Sequence, residues 1–100
     1  MSPKIPIDRA KIADFCHRWK INELALFGSV LRDDFRPDSD VDVLVTFAPD
    51  AQWSLFDLVE IQEALSEMLG RKVDLIEKRG LRNPFRRYEI LRTKEVVYAA

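Results

Sequence analysis

A chain of 100 residues, 47% hydrophobic and 33% charged, has the size and composition of one globular domain spanning residues 1–100. A formal net charge of −1 disfavours a general nucleic-acid binder, which needs a basic surplus to offset phosphates. One cysteine excludes a disulfide framework or a thiolate metal cluster, and no apolar run approaches the roughly 18 residues of a membrane helix, so a cytoplasmic location is expected.

In chain order, Asp8 is placed to cap a helix over 9–19, with Ile12, Phe15, Cys16 and Trp19 on one face. Leu24 to Phe27 reads as a buried strand ending at Gly28-Ser29. Val30 to Phe35 could form one or two helical turns, with Pro37 and Asp38 in a loop. Val41 to Phe47 is the clearest strand: Val41, Val43, Val45 and Phe47 face one way, Asp40, Asp42, Leu44 and Thr46 the other. Ser54 to Leu69 is the longest helix, with Ser54 and Asp57 at capping-box spacing and Gly70 as its C-terminal glycine. Lys72 to Glu77 is a third strand. Pro84 opens a last helix to about Thr93, and Val96-Val97-Tyr98 forms a short extra strand or an extended end. The order α-β-α-β-α-β-α predicts an α/β (α+β) fold, a small mixed β-sheet flanked by helices.

Charge is segregated along the chain. Lys78, Arg79, Arg82, Arg86, Arg87, Arg92 and Lys94 stand against Glu89 alone within 78–94, and this run reads as a solvated helix face or a partner-docking surface. Asp33, Asp34, Asp38, Asp40 and Asp42 crowd elsewhere. Asp40 and Asp42, two apart on a strand, project about 7 Å apart from one face. Their repulsion at an effective dielectric near 20 is about 2 kcal/mol. A divalent cation offsets it, and hard carboxylate oxygens suit Mg²⁺. Taken alone, such a pair is more often a turn and a solvated edge. Asp74 alters the picture, because strand alternation puts it off the apolar face as well. Three carboxylates on neighbouring strands could hold two metal ions.

Gly28 and Ser29 follow a strand, where a glycine lets the backbone approach a phosphate and where N–H groups and a hydroxyl can hold its oxygens. Arg32, one turn on, could reach the same phosphates. Each has a plainer reading by itself: turn residue, helix cap, surface charge. His17 reads as a solvated side chain. Trp19 and Trp53 read as packing, and Tyr88 and Tyr98 as core or surface residues.

The combination is more specific. LFGSVLRDDFRPDSDVDVLVTF places Gly28-Ser29 ten residues before Asp40-x-Asp42 and resembles the core of the minimal nucleotidyltransferase (MNT) domains of the DNA polymerase beta superfamily. VDLIEKRGLRNPFRRYEILRTKEVVYA is similar to the C-terminal half of that branch. The resemblance implies that Asp40 and Asp42 bind two Mg²⁺ ions. Asp74 is then the third carboxylate, on the catalytic metal and able to accept the acceptor's proton. Gly28 and Ser29 would hold the triphosphate of ATP, with Arg32 nearby. It further implies an antitoxin that transfers AMP from ATP to a tyrosine of a HEPN-domain ribonuclease toxin, encoded by the adjacent gene. The short chain accords with an acceptor that brings its own binding surface.

One departure is visible: Asp33 follows Arg32 where family members often carry glycine, which adds negative charge near a triphosphate. Two other functions stay open at this point. One is a binding-only antitoxin that occludes the HEPN partner. The other is a nucleotidyltransferase acting on RNA or a small molecule such as an aminoglycoside.

Overall fold

A computed structural model describes residues 5–32, 35–36 and 38–100. Helix α1 (Arg9–Arg18) starts where the Asp8 carboxylate accepts from the N–H groups of Ala10 and Lys11, at 3.1 and 3.2 Å. Lys20, in the left-handed region at φ 56°, turns the chain into strand β1 (Ile21–Phe27). A 3₁₀ turn (Gly28–Leu31) follows, then β2 (Val41–Phe47). Helix α2 (Leu55–Leu69) begins on a complete capping box between Ser54 and Asp57 and ends at Gly70 in the left-handed region, φ 67°. Strand β3 (Val73–Glu77), a second 3₁₀ turn (Lys78–Gly80), α3 (Pro84–Thr93) and β4 (Glu95–Ala99) complete the described chain. Asn83 caps α3 through Phe85 and Arg86 N–H, with Pro84 in the first turn where no N–H is needed.

The mixed α/β architecture is the one expected; of the two alternatives for the apolar tail the strand is the one formed, and β1 and the turn after it differ from expectation in extent. The apolar tail is a fourth strand, because β1 offers it a free edge: β4 pairs antiparallel there, opposing Leu24 to Tyr98 and Ala25 to Val96. β1 begins three residues earlier than its apolar run, since pairing with β2 extends to Ile21 opposite Phe47. After β1 the helical part is the 3₁₀ turn alone, starting at Gly28; Arg32 is already extended (ψ 157°). Asp33, Asp34 and Pro37, on which the remainder of that expectation rests, lie outside the described residues.

The sheet runs β3-β2-β1-β4. Only β2 and β3 are parallel, with α2 as their crossover; the other pairs are antiparallel. Its two faces are covered unequally. On one, α1 and α2 bury Leu24, Leu26, Val41, Val43, Val45 and Val73 with Ile12, Phe15, Ile61 and Leu65. A side chain of this size removed from water contributes roughly 1.5–3 kcal/mol. The other face carries a smaller cluster, Ala25, Phe27 and Leu44 against Leu81 and Ile90 of the α3 region. That lighter cover leaves the ends of β2 and β3 on this face open to solvent. No helix among the described residues is long and apolar enough to cross a membrane.

Candidate active site

Asp42 lies at the start of β2 on the lightly covered face. Val41 and Val43 are fully buried toward α1 and α2, so strand alternation turns Asp42, like Leu44, to the α3 side. The parallel register pairs Asp42 with Asp74 on β3, and the antiparallel register pairs Asp42 with Phe27 on β1. Asp40 stands just ahead of β2. Asp40 and Asp74 are exposed and Asp42 is half-buried.

Asp42 senses its acidic neighbours. Burial pushes the Asp42 carboxyl above its usual value of 3.8, and the charges of Asp74 and then Asp40 push it further. Arg86 and, more weakly, Arg32 act against this. Among the described residues no three acidic, cysteine or histidine side chains close around a common point. This is an open acidic site in which other oxygens would have to complete any coordination shell.

Gly28 abuts the central carboxylate. Its φ of 75° is left-handed, and a Cβ built there would lie 2.5 Å from Oδ2 of Asp42. Two independent constraints thus demand glycine. The turn carries Ser29 next, half-buried, with its carbonyl accepting from Arg32 N–H at 2.9 Å. A cleft of about 270 Å³ opens beside this turn, lined by Phe27, Gly28, Leu31 and Arg32 on one side and by Glu89, Ile90 and Thr93 of α3 on the other. A larger groove, about 400 Å³, lies between α1 and α2 on the opposite face and shares no residue with the carboxylate site. Size alone therefore does not locate the chemistry.

Every site residue singled out in the sequence thus falls around the end of β2: Asp40, Asp42 and Asp74 by register and charge, Gly28, Ser29 and Arg32 by the turn. What sequence reasoning missed is α3. In sequence, Arg86 reads as part of a basic run, a solvated helix face or a partner-docking surface, and Glu89 has no site role. The available signal was spacing: Arg86, itself exposed, precedes buried Ile90 by four residues and so lies on the same side of α3. Trp19 and Trp53 do pack, ring centroids 5.3 Å apart, with Trp53 Nε1 donating to the Trp19 carbonyl at 2.9 Å. His17 is exposed and edge-on to Tyr98 at 5.9 Å.

The mixed sheet holds Asp42 and Asp74 in register with the Gly28 turn packed on Asp42, and the class of protein this belongs to is that of the nucleotidyltransferases. The nucleotidyltransferase domain family matches residues 9–97, and the chain belongs to it. The chain is similar to the protein adenylyltransferase MntA of Thermococcus cleftensis, 40% identical over 81 residues, 81% of this chain and 77% of that one. A solved structure provisionally described as a minimal nucleotidyltransferase is 36% identical and superposes with a TM-score of 0.71 over 87% of this chain and 86% of that one. A structure of the tri-AMPylated Shewanella oneidensis HEPN toxin in complex with an MNT antitoxin matches with a TM-score of 0.66 at 20% identity, covering 92% of this chain and 70% of the matched chain. At that identity the likeness is one of fold.

Proposed function

We propose that this nucleotidyltransferase is a protein adenylyltransferase and an antitoxin. It transfers AMP from ATP to a tyrosine hydroxyl of a HEPN-type toxin and thereby neutralises it. The observation that carries the reading is the Asp42 position: opposite Asp74 in register, beside Asp40, with the Gly28 turn against its carboxylate. The names of the related proteins support the same acceptor class.

Asp40, Asp42 and Asp74 would hold Mg²⁺. The donor set fits: hard oxygens, mutual repulsion that raises Asp42, and an open arrangement suited to an ion that keeps water and substrate phosphates as ligands. When bound, the ion neutralises phosphate charge and polarises the α-phosphate. The chain's own residues do the positioning. Backbone N–H groups of the Gly28 turn and the Ser29 hydroxyl hold the triphosphate, with Arg32 beside them. Asp74, exposed at the edge strand, is accessible to an incoming acceptor and takes its phenolic proton. The tyrosine oxygen bonds to the α-phosphorus, the bond to the β-phosphate bridging oxygen breaks, and pyrophosphate leaves with that electron pair. Orientation and electrostatics supply most of the acceleration.

The test combines this protein with a HEPN-type partner, ATP and Mg²⁺, and records the intact mass of each chain. Adenylate-sized increments on the partner, absent with Asp42→Asn, are expected. A stable complex with no increment would overturn the transfer reading and leave inhibition by binding alone.

A further inference from the structure

Helix α3 carries three arginines, and two of them have structural partners. Arg87 donates from Nη1 to the Lys78 carbonyl at 3.3 Å, tying α3 to the turn after β3. Arg92 donates from Nη2 to both carboxylate oxygens of Glu89, at 3.0 and 2.9 Å. The Arg86 guanidinium, by contrast, has no hydrogen bond or ion pair among the described residues.

Its position is nevertheless specific. One helical turn separates it from Ile90, which packs with Phe27 and Leu44. Phe27 is the register partner of Asp42, and Leu44 is the next side chain along β2 on the same face. Arg86 therefore stands where α3 overlooks the carboxylates, next to the cleft that Ile90 and the Gly28 turn enclose. Arg32 lines the other wall of that cleft, beside the Gly28 turn. A planar guanidinium that is exposed beside that cleft, with no side-chain partner among the described residues, matches the fork geometry of a phosphate.

We propose that Arg86 binds the β- and γ-phosphates of the nucleotide and, after transfer, the departing pyrophosphate. It offsets the charge that the leaving group gains with the electron pair of the broken P–O bond. It also makes the site select triphosphates over monophosphates. This rests on the reading of the Gly28–Asp42 region as a triphosphate site.

Calorimetric titration tests it without any acceptor. ATP, pyrophosphate and AMP, each with Mg²⁺, are titrated into the wild type, Arg86→Gln, Arg86→Lys and the exposed control Arg82→Gln. Arg86→Gln is expected to weaken ATP and pyrophosphate about 10- to 100-fold, the worth of a charge-assisted pair. AMP affinity should change by less than about threefold, since AMP lacks the β- and γ-phosphates. Arg86→Lys should recover part of the loss, because an ammonium keeps the charge and loses the fork. Arg82→Gln should bind as the wild type does. No loss in Arg86→Gln, an equal loss for AMP, or an equal loss in Arg82→Gln would overturn the assignment. A wild type that binds neither ATP nor pyrophosphate would instead overturn the triphosphate reading itself.

Discussion

A Cβ on Gly28 would lie 2.5 Å from Oδ2 of Asp42, so the end of β1 and the central carboxylate of β2 are fitted to each other at van der Waals limits. The contact follows from register: Phe27 opposes Asp42, and the chain leaves the sheet at the next residue. Gly28→Ala must therefore distort both the turn and the carboxylate. The left-handed backbone alone costs about 1–2 kcal/mol, read as a lower urea midpoint. Displacing a positioned group by about 1 Å costs on the order of 100-fold in rate. Transfer should fall well beyond what the lost stability explains. Activity falling only in proportion to the unfolded fraction would make the glycine a structural residue and nothing more.

Asp42 makes stability depend on pH in an unusual sense. Its carboxyl titrates above 3.8 because of burial and then because of Asp74 and Asp40. Between the unfolded and folded pKa values the folded state binds more proton, so the ionised form opposes folding at neutral pH. That opposition fades as pH falls through the raised pKa and is gone below the unfolded value. Without metal, Asp42→Asn should thus be more stable than the wild type at pH 7, with the difference shrinking on acidification. Added Mg²⁺ should raise the wild-type melting temperature and leave the variant's nearly unchanged. Urea midpoints at several pH values check the first part; an Asn variant less stable at pH 7 sinks it.

The carboxylate pair and the glycine turn were legible in the sequence because they sit on strands with strong alternation, where parity alone assigns a face. Val41 to Phe47, Ser54, Gly70 and Pro84 carry local signals, and the structure keeps each at the expected place. β4 was ambiguous for the opposite reason. Three apolar residues, Val96 to Tyr98, gain strand structure only from the free edge of β1, which is a tertiary fact. The proposed role of Arg86 could not be read from the sequence, because its location depends on how α3 lies across the sheet. The basic run around it looks uniform in sequence, and only the partners of Arg87 and Arg92 separate the three arginines.

The edge strand that carries Asp74 is held by α2 side chains. The Ser66 hydroxyl accepts from Val73 N–H and Gln62 Oε1 from Leu75 N–H, both at 3.0 Å. The two residues are four apart on α2 and so share a face. They satisfy two outward N–H groups of β3, those of Val73 and Leu75, and deny them to another strand. Gln62→Ala should cost about 1 kcal/mol, the net worth of such a bond. Gln62→Glu, which keeps an accepting oxygen, should cost less. The Gln62→Ala/Ser66→Ala double variant should also self-associate on heating, visible as increased light scattering. Two alanine variants that melt and scatter like the wild type would remove the edge-protection role.

Cys16 reports how tightly the helical layer closes over the sheet. It is fully buried on α1 among the core residues Ile12 and Phe15, and burial pushes its thiol up to about 12. The thiolate is the reactive species, so at pH 8 almost none forms in the native state, and access is blocked as well. Labelling by a disulfide reagent should therefore proceed only through opening of α1. If α1 leaves the sheet only when the domain unfolds, the labelling rate should rise with urea at the slope of global unfolding. A flatter slope with slow labelling would identify α1 as a separately opening unit. Rapid labelling of the folded protein at pH 8 would contradict the burial on which the prediction stands.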